Sequence, residues 1–510
     1  MEFSGREELV LLALLAAVTA LTALAPTLRV PYPILLVLGG LALGFVPGVP
    51  TITLPPEVVL VGVLPPLLYS AAFFTGLRDL RANVRPIGLL AVGLVVTTML
   101  AVATIAHYAT GLSWPAAFVL GAIVAPTDPI AATAIAGRLG VPRRIVTIVE
   151  GESLVNDATA LVLYATAVTA LVTGSFSLWH AGLDFAVSVV GGLAVGLGVG
   201  WVVALIRIRL DNIPSETLIS LLCGYLAYIP AQALGVSGVL AAVTIGVYLG
   251  WRSPELSTPA MRMQAFAVWE TLVFLVNALL FTLIGMQLGP ILDALGDRST
   301  ASLIVDALVV TATVMVVRIV WVLATGPRPA VVGWMGMRGA VSLAAALALP
   351  LQTDAGAPFP GRELIIFLAF AVILGTLVVQ GLTLPAVIRR FHLEEDELEA
   401  KEDTKARIYA AEAAIQRLEE LLDEDWVRPE TAERLRGLYN FRRSRFQARF
   451  DGEDDGAIER QSTDYQRLRR ELLEAERAAI VALRREGRIS DDVMRRVERD
   501  LDLEDSRLEI

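Results

Sequence analysis

The sequence predicts an all-α membrane protein. About thirteen transmembrane helices are expected, in two inverted six-helix repeats with two discontinuous helices, followed by a cytoplasmic helical tail. Three observations carry this. Of the 510 residues, 55% are hydrophobic and mean hydropathy is +0.63, more apolar than a soluble chain of this size. Residues 1–393 hold 19 basic and 19 acidic side chains, whereas residues 394–510 hold 23 and 33, so the whole net charge of −10 sits in the tail. Finally, proline or glycine crowds two apolar runs at matching positions in the two halves of the membrane portion.

Apolar runs near the length needed to cross a bilayer, about 20 residues, recur almost without pause. They lie at 9–25, 31–48, 57–76, 86–110, 114–136, 145–173, 181–206, 215–233, 236–251, 264–288, 301–325, 331–350 and 363–388. The second, fifth, ninth and twelfth are short or rich in Gly and Pro. The first run is read as a retained helix rather than a signal peptide. Glu2, Glu7 and Glu8 outnumber Arg6 ahead of it, where a signal peptide carries positive charge.

Orientation follows from loop arginines. Alternate loops carry Arg29; Arg78, Arg81 and Arg85; Arg138, Arg143 and Arg144; Arg207 and Arg209; Arg252 and Arg262; and Arg328, against only Arg298 and Arg362 between them. The basic loops are expected on the cytoplasmic side, with the N-terminus outside, the C-terminus inside, and Arg389 and Arg390 at the inner boundary. This places a transport domain at 1–390, in the cell (inner) membrane, and an acidic helical domain at 391–510. In the tail, 406–422, 429–446 and 465–486 show helical apolar spacing, and D-G-E-D-D-G (451–456) reads as a linker. A small helical bundle that aids dimerisation or folding is the plain reading of it.

Cys223 is the sole cysteine and the three histidines (His107, His180, His392) are scattered, so no intrachain disulfide or zinc site is expected. The acidic balance gives nucleic acid no purchase. His107 falls near a run end and is read as interfacial.

Within the sixth run, T-I-V-E-G-E-S-L-V-N-D-A-T-A-L-V-L-Y (147–164) carries Glu150, Glu152, Ser153, Asn156 and Asp157. A carboxylate at bilayer depth costs about 3 kcal/mol on insertion scales, which makes an ion or proton pathway the default reading. Glu152 and Asn156 are four apart, as are Ser153 and Asp157, so each pair stacks one turn above the other on a bundle-facing strip.

In the fifth run, A-I-V-A-P-T-D-P-I, Pro126 and Pro129 bracket Thr127 and Asp128. Two prolines three apart remove two N–H groups and crowd the preceding turns, so the helix is expected to break here. A simple kink with Asp128 as a cap is the bland reading, and a capping Asp128 can still belong to a site. In the twelfth run Gly333, Gly336 and Gly339 surround Arg338, which permits a second break. If runs 1–6 and 8–13 are inverted repeats, the two breaks correspond. That is the pattern by which secondary transporters form ion sites.

Arg318 stands alone in the middle of the eleventh run and requires a carboxylate partner. Glu152 is the first choice and Glu150 the second. That choice leaves Asp157 as the unpaired titratable group. Glu270 shares a helix face with Asn277 and serves either a hydrated vestibule or helix packing.

The combination A-P-T-D-P (125–129), G-E-S-L-V-N-D-A (151–158), Arg318 and G-M-R-G-A-V-S (336–342) resembles the cation/proton antiporters of the NhaP and sodium/proton exchanger family. The resemblance covers most of residues 1–390. It implies that Asp157 binds the ion and the proton, with Asn156, Ser153, Thr127 and Asp128 as neighbours and Glu152–Arg318 as a structural brace. It also implies a homodimer with a gate subdomain and a core subdomain holding two crossed broken helices. One departure is Ser70, which follows P-P-L-L-Y where some family members carry an acid.

The expected activity is electroneutral, one-for-one exchange of Na+ (or Li+) for H+ by alternating access, serving sodium and pH homeostasis. Asp157, Ser153 and Thr127 are the expected Na+ ligands, since a hard monovalent cation takes oxygen donors. The resemblance also bears on charge: in similar families, members with a second Asp in place of this Asn tend to be electrogenic, so Asn156 argues against that here. No cofactor is expected beyond the transported ions, and no nucleophile–base constellation supports a membrane enzyme. K+/H+ exchange is the alternative transporter; a channel or ion-gated sensor is the alternative of another class, though no continuous polar pore or repeated filter is evident.

Overall fold

A computed structural model describes the chain apart from residues 1–4, 29, 47–54, 56, 175–177, 211, 296–297, 326–329, 355, 392–396, 452–456 and 506–510. Two compact units result, Met1–Glu395 and Asp396–Ile510. The described residues are helical or irregular, with a single isolated β-bridge, Gln352 to Pro358.

The first unit runs through α1 (Gly5–Leu28), α2 (Tyr32–Gly44), α3 (Val58–Phe74), α4 (Val84–Thr110), α5 (Trp114–Val124), α6 (Ile130–Arg138), α7 (Arg143–Thr173) and α8 (Leu178–Arg207). It continues with α9 (Ile213–Ala233), α10 (Gly238–Leu256), α11 (Pro259–Met286), α12 (Thr300–Thr325), α13 (Val331–Trp334), α14 (Ala340–Leu347) and α15 (Arg362–Arg390). Short helices Leu77–Ala82 and Leu288–Ala294 lie between. Each expected apolar run contains a helix, and the fifth and twelfth contain two apiece. Among the described residues, six helices are long and apolar enough to cross a membrane.

Local chemistry sets the ends. Pro sits in the first turn of α2, α5, α9 and α11, where its missing N–H costs nothing. Asn212, Ser237 and Thr258 accept from the second or third N–H of α9, α10 and α11. Gly111 and Gly174 close α4 and α7 with φ of +73° and +70°.

The second and ninth runs, glycine-rich in sequence, form unbroken helices. Their glycines are used for packing instead. A methyl at Gly40 or Gly285 would strike main chain where α2 crosses α11, and one at Gly246 or Gly250 would strike main chain where α10 crosses α3. Such close approach is how membrane helices gain dispersion contact without a hydrophobic driving force. These two pairings, second run with tenth and ninth with third, exchange when each run is replaced by the one seven places along or back. That relation is consistent with paired repeats. The innermost helix is α15, whose residues from Leu364 to Phe370 are buried throughout.

The second unit holds α16 (Glu397–Glu420), α17 (Pro429–Asp451), α18 (Ala457–Arg485) and α19 (Asp491–Asp505), with α16 packed on α17 and α18 on α19. Arg477 bridges to Asp502 and Asp505 at 2.9 Å each, joining α18 to α19. The fourth helix lies beyond the three expected segments, although Val493, Met494, Val497 and Leu501 recur at helical spacing. Asp451 ends α17; the rest of the expected linker lies outside the described residues, as do Arg29 and Arg328 from the orientation argument.

Candidate ion-binding site

The site begins with two gaps of equal length. Residues 125–129 separate α5 from α6, and residues 335–339 separate α13 from α14. Pro126 and Pro129 account for the first gap, having no N–H to offer; Gly336 and Gly339 lie in the second and Gly333 just before it. The two stretches touch: the Asp128 N–H donates to the Met337 carbonyl at 2.8 Å. One Asp128 carboxylate oxygen accepts from the Ile130 N–H at 2.9 Å and caps α6. The other lies against Gly339, where an added Cβ would overlap it.

Interrupted helices expose carbonyls that carry partial negative charge. A guanidinium attends to each. Arg338 donates from Nη1 to the carbonyl of Ala125, the residue that closes α5. Arg318 donates from Nε and Nη2 to the Val332 carbonyl of α13, at 3.2 and 3.1 Å. Arg338 also donates its main-chain N–H to Thr376 Oγ1 on α15 at 3.1 Å.

Helix α7 supplies the rest. Glu152 accepts from Arg318 Nη1 at 2.5 Å and Nη2 at 2.9 Å, both residues being 1% exposed. Thr127 Oγ1 donates to Glu152 Oε1 at 3.1 Å and accepts from Asn156 Nδ2 at 2.8 Å. Ser153 Oγ donates to the Thr127 carbonyl at 3.0 Å. Asn156, Glu152 and Ser153 therefore clip one face of α7 to the first gap.

Asp157 is placed differently. It is buried, yet among the described residues its carboxylate has no hydrogen-bond partner. It faces a cavity of about 710 Å³ that also touches Thr127, Asp128, Ser153, Glu150 and Ser342. Glu150 lines this cavity and is not on Arg318. Exposed Glu270 and buried Asn277 line it from α11. Ser70 lines it too, donating to the Leu67 carbonyl at 2.9 Å.

The structure thus gathers Thr127, Asp128, Glu152, Ser153, Asn156, Asp157, Arg318 and Arg338 at one crossing, and sets Glu270 apart across the cavity. Sequence reasoning missed several participants. The Ala125 and Val332 carbonyls have no side-chain signature. Ser342 lay inside a quoted motif without a role. Arg207, read as a loop arginine, is buried and pairs with Glu216 at 2.5 Å, with Ser257 bonded to both. Among the described residues, no group of three or more His, Cys, Asp or Glu is placed to hold a resident metal ion.

Residues 11–390 match the family model described as sodium/hydrogen exchanger, transmembrane. An uncharacterized Na(+)/H(+) exchanger of Mycobacterium tuberculosis is 38% identical, over 98% of this chain and 96% of its own length. A sodium, potassium, lithium and rubidium/H(+) antiporter of Bacillus subtilis is 33% identical, over 74% of this chain and 60% of its own. The fold is that of the sodium proton antiporter MjNhaP1 from Methanocaldococcus jannaschii. That structure superposes with a TM-score of 0.60 at 19% identity, over 76% of this chain and 98% of that one. With a family match across the whole first unit and a relative that aligns nearly end to end, the chain belongs to the sodium/hydrogen exchanger family of multi-pass membrane antiporters.

Proposed function

We propose that this chain exchanges Na+ (or Li+) for H+, one for one and by alternating access, with Asp157 carrying either ion. The observation behind this reading is the contrast at the crossing. Glu152 and Arg318 neutralise each other, Asp128 caps a half-helix, and Arg338 holds a carbonyl, whereas the Asp157 carboxylate faces the cavity with no protein partner.

Charge arithmetic supports one-for-one exchange. Three carboxylates (Asp128, Glu152, Asp157) meet two guanidiniums (Arg318, Arg338), leaving one negative charge. One monovalent cation or one proton cancels it. An uncompensated charge is costly to carry past an apolar barrier, so loaded forms cross and the bare form does not. Asn156 adds no second charge, which favours electroneutral exchange. Ser153 and Thr127 stand beside Asp157 as oxygen donors, although the Thr127 hydroxyl already serves Glu152 and Asn156. Glu150 and Glu270 lie on the approach to the site.

The reading extends to a homodimer in the cell membrane, with residues 1–390 as the transport domain, divided into gate and core subdomains. Residues 391–510 form its cytoplasmic domain. The twelve-to-two arginine bias supports an outer N-terminus and an inner C-terminus. Sodium and pH homeostasis is the corresponding cellular role.

Na+-driven ΔpH in proteoliposomes tests the assignment: Asp157→Asn should abolish it. Retained exchange in that variant rejects Asp157 as carrier, and a rate that follows membrane potential rejects electroneutrality. A K+/H+ reading is favoured by one observation, the Bacillus subtilis relative whose name includes potassium. Counterflow with Na+, Li+ and K+ in turn separates the two.

A further inference from the structure

Many hydroxyls in the membrane helices of this protein satisfy themselves locally. Thr97, Thr104, Thr282 and Thr376 each donate to the carbonyl four residues back, on Gly93, Leu100, Ala278 and Val372, at about 2.8 Å. This local bond lets a polar side chain sit in an apolar setting. Ser342, in the first turn of α14, makes no such bond; nor does Thr98 of α4, whose buried Oγ1 is also unpartnered among the described residues, but only Ser342 of the two lines the cavity that holds Asp157. The residue four positions back is Arg338, which lies in the second gap and not in a helix. Ser342 is 1% exposed, and its Oγ has no hydrogen-bond partner among the described residues. An unsatisfied buried hydroxyl is costly, and the cavity that Ser342 lines is where a partner can reach it.

The hydroxyl lines the same cavity as Asp157, Asp128 and Ser153. Its neighbours bring it to them. Gly339 abuts the Asp128 carboxylate, and Val341 packs on the cluster containing Leu154 and Ala158, which flank Asp157 along α7. Donors already identified at the site are partly committed, since the Thr127 hydroxyl makes two hydrogen bonds and Ser153 donates to a carbonyl.

We propose that Ser342 Oγ is a ligand of the transported monovalent cation, supplied by the second interrupted segment opposite Asp157. The inference rests on the exchange reading above and adds a residue to its site. Bound cation then touches both interrupted segments, and the hydroxyl proton turns away from it toward the cavity. A proton on Asp157 does not need this oxygen, so Ser342 favours the cation over the proton in their competition.

The test uses full-length protein in proteoliposomes, with Ser342→Ala, Ser342→Cys and Asp157→Asn measured for Na+, Li+ and Tl+. Ser342→Ala should raise the KM for Na+ about tenfold, the worth of one good oxygen ligand, with kcat within about twofold of wild type. Ser342→Cys, which replaces a hard donor by a soft one of similar size, should raise the preference for Tl+ over Na+ several-fold. A structural role would not move that preference. Wild-type KM and cation preference in both Ser342 variants, with exchange lost in Asp157→Asn, overturns the Ser342 assignment alone. Reduced kcat and folded yield with unchanged KM and preference does the same. Exchange retained in Asp157→Asn overturns the underlying reading instead.

Discussion

Arg338, in the second interruption, ends on the main-chain carbonyl of Ala125 in the first. A buried guanidinium thus closes the open end of α5 from across the crossing. No carboxylate is its hydrogen-bond partner, and its Nε and Nη2 are unpartnered among the described residues.

Replacing Arg338 by Gln should therefore change electrostatics more than packing. The crossing would hold two net negative charges instead of one, and protons would bind there more tightly. Release would need a higher pH. The pH of half-maximal exchange is expected to move alkaline by about one unit, the size of a charge interaction at several Å in a partly polarisable interior. A pH series of Na+-driven ΔpH measures it; an acid shift would contradict the charge accounting.

Glu152 and Arg318 should behave as a unit. Removing either leaves a buried, unpaired charge, at about 3–5 kcal/mol. Glu152→Gln combined with Arg318→Met removes both charges and should cost less than the sum of the single changes. Thermal midpoints of the four proteins in detergent, taken as a double-mutant cycle, check this. Additive losses would mean that the two side chains stabilise the fold separately.

Gly339, in the second gap, and Gly137, late in α6, make a contrasting pair. At Gly339 an added methyl meets the Asp128 carboxylate, so Gly339→Ala should lower exchange by about tenfold or more, as misplacing a site by a fraction of an ångström does. At Gly137, inside α6, a methyl meets nothing within 4 Å. Gly137→Ala should be neutral or stabilise by up to about 1 kcal/mol. Similar activity in the two variants would reject the close contact at Gly339.

Away from the cavity, Glu216 should matter for stability alone. Glu216→Gln leaves Arg207 buried without its carboxylate, at about 3–5 kcal/mol. The thermal midpoint should fall while the KM for Na+ holds within about twofold. A changed KM with an unchanged midpoint would place Glu216 in transport instead.

Much of this arrangement is legible in the chain itself. Pro126 and Pro129 announce the first gap because two prolines three apart remove two main-chain N–H groups and crowd the preceding turns. A lone Arg318 at depth demands a carboxylate, and Glu152 is the one it reaches. Other features are hidden for physical reasons. Every residue has a carbonyl, so nothing in the letters marks Ala125 or Val332 as acceptors. Ser342 is orphaned only because residue 338 falls outside a helix, which depends on where α14 begins. Arg207 and Glu216 sit at helix ends, where spacing suggests exposure, and only the packing of α8 and α9 with the Ser257 turn buries them. Glycines also read ambiguously. Those at 246 and 250 permit contact between helices, whereas Gly336 and Gly339 lie within a gap.

The crossing has a mechanical consequence. The two interruptions are joined by a main-chain hydrogen bond from Asp128 to Met337, by the Asp128 carboxylate against Gly339, and by Arg338 on Ala125. Three ties over five residues make a stiff joint. Bending it to open one side would break these ties in an apolar setting, and Ser153, Asn156 and Thr376 bind the same gaps to α7 and α15. Any compliance then resides outside the two five-residue gaps.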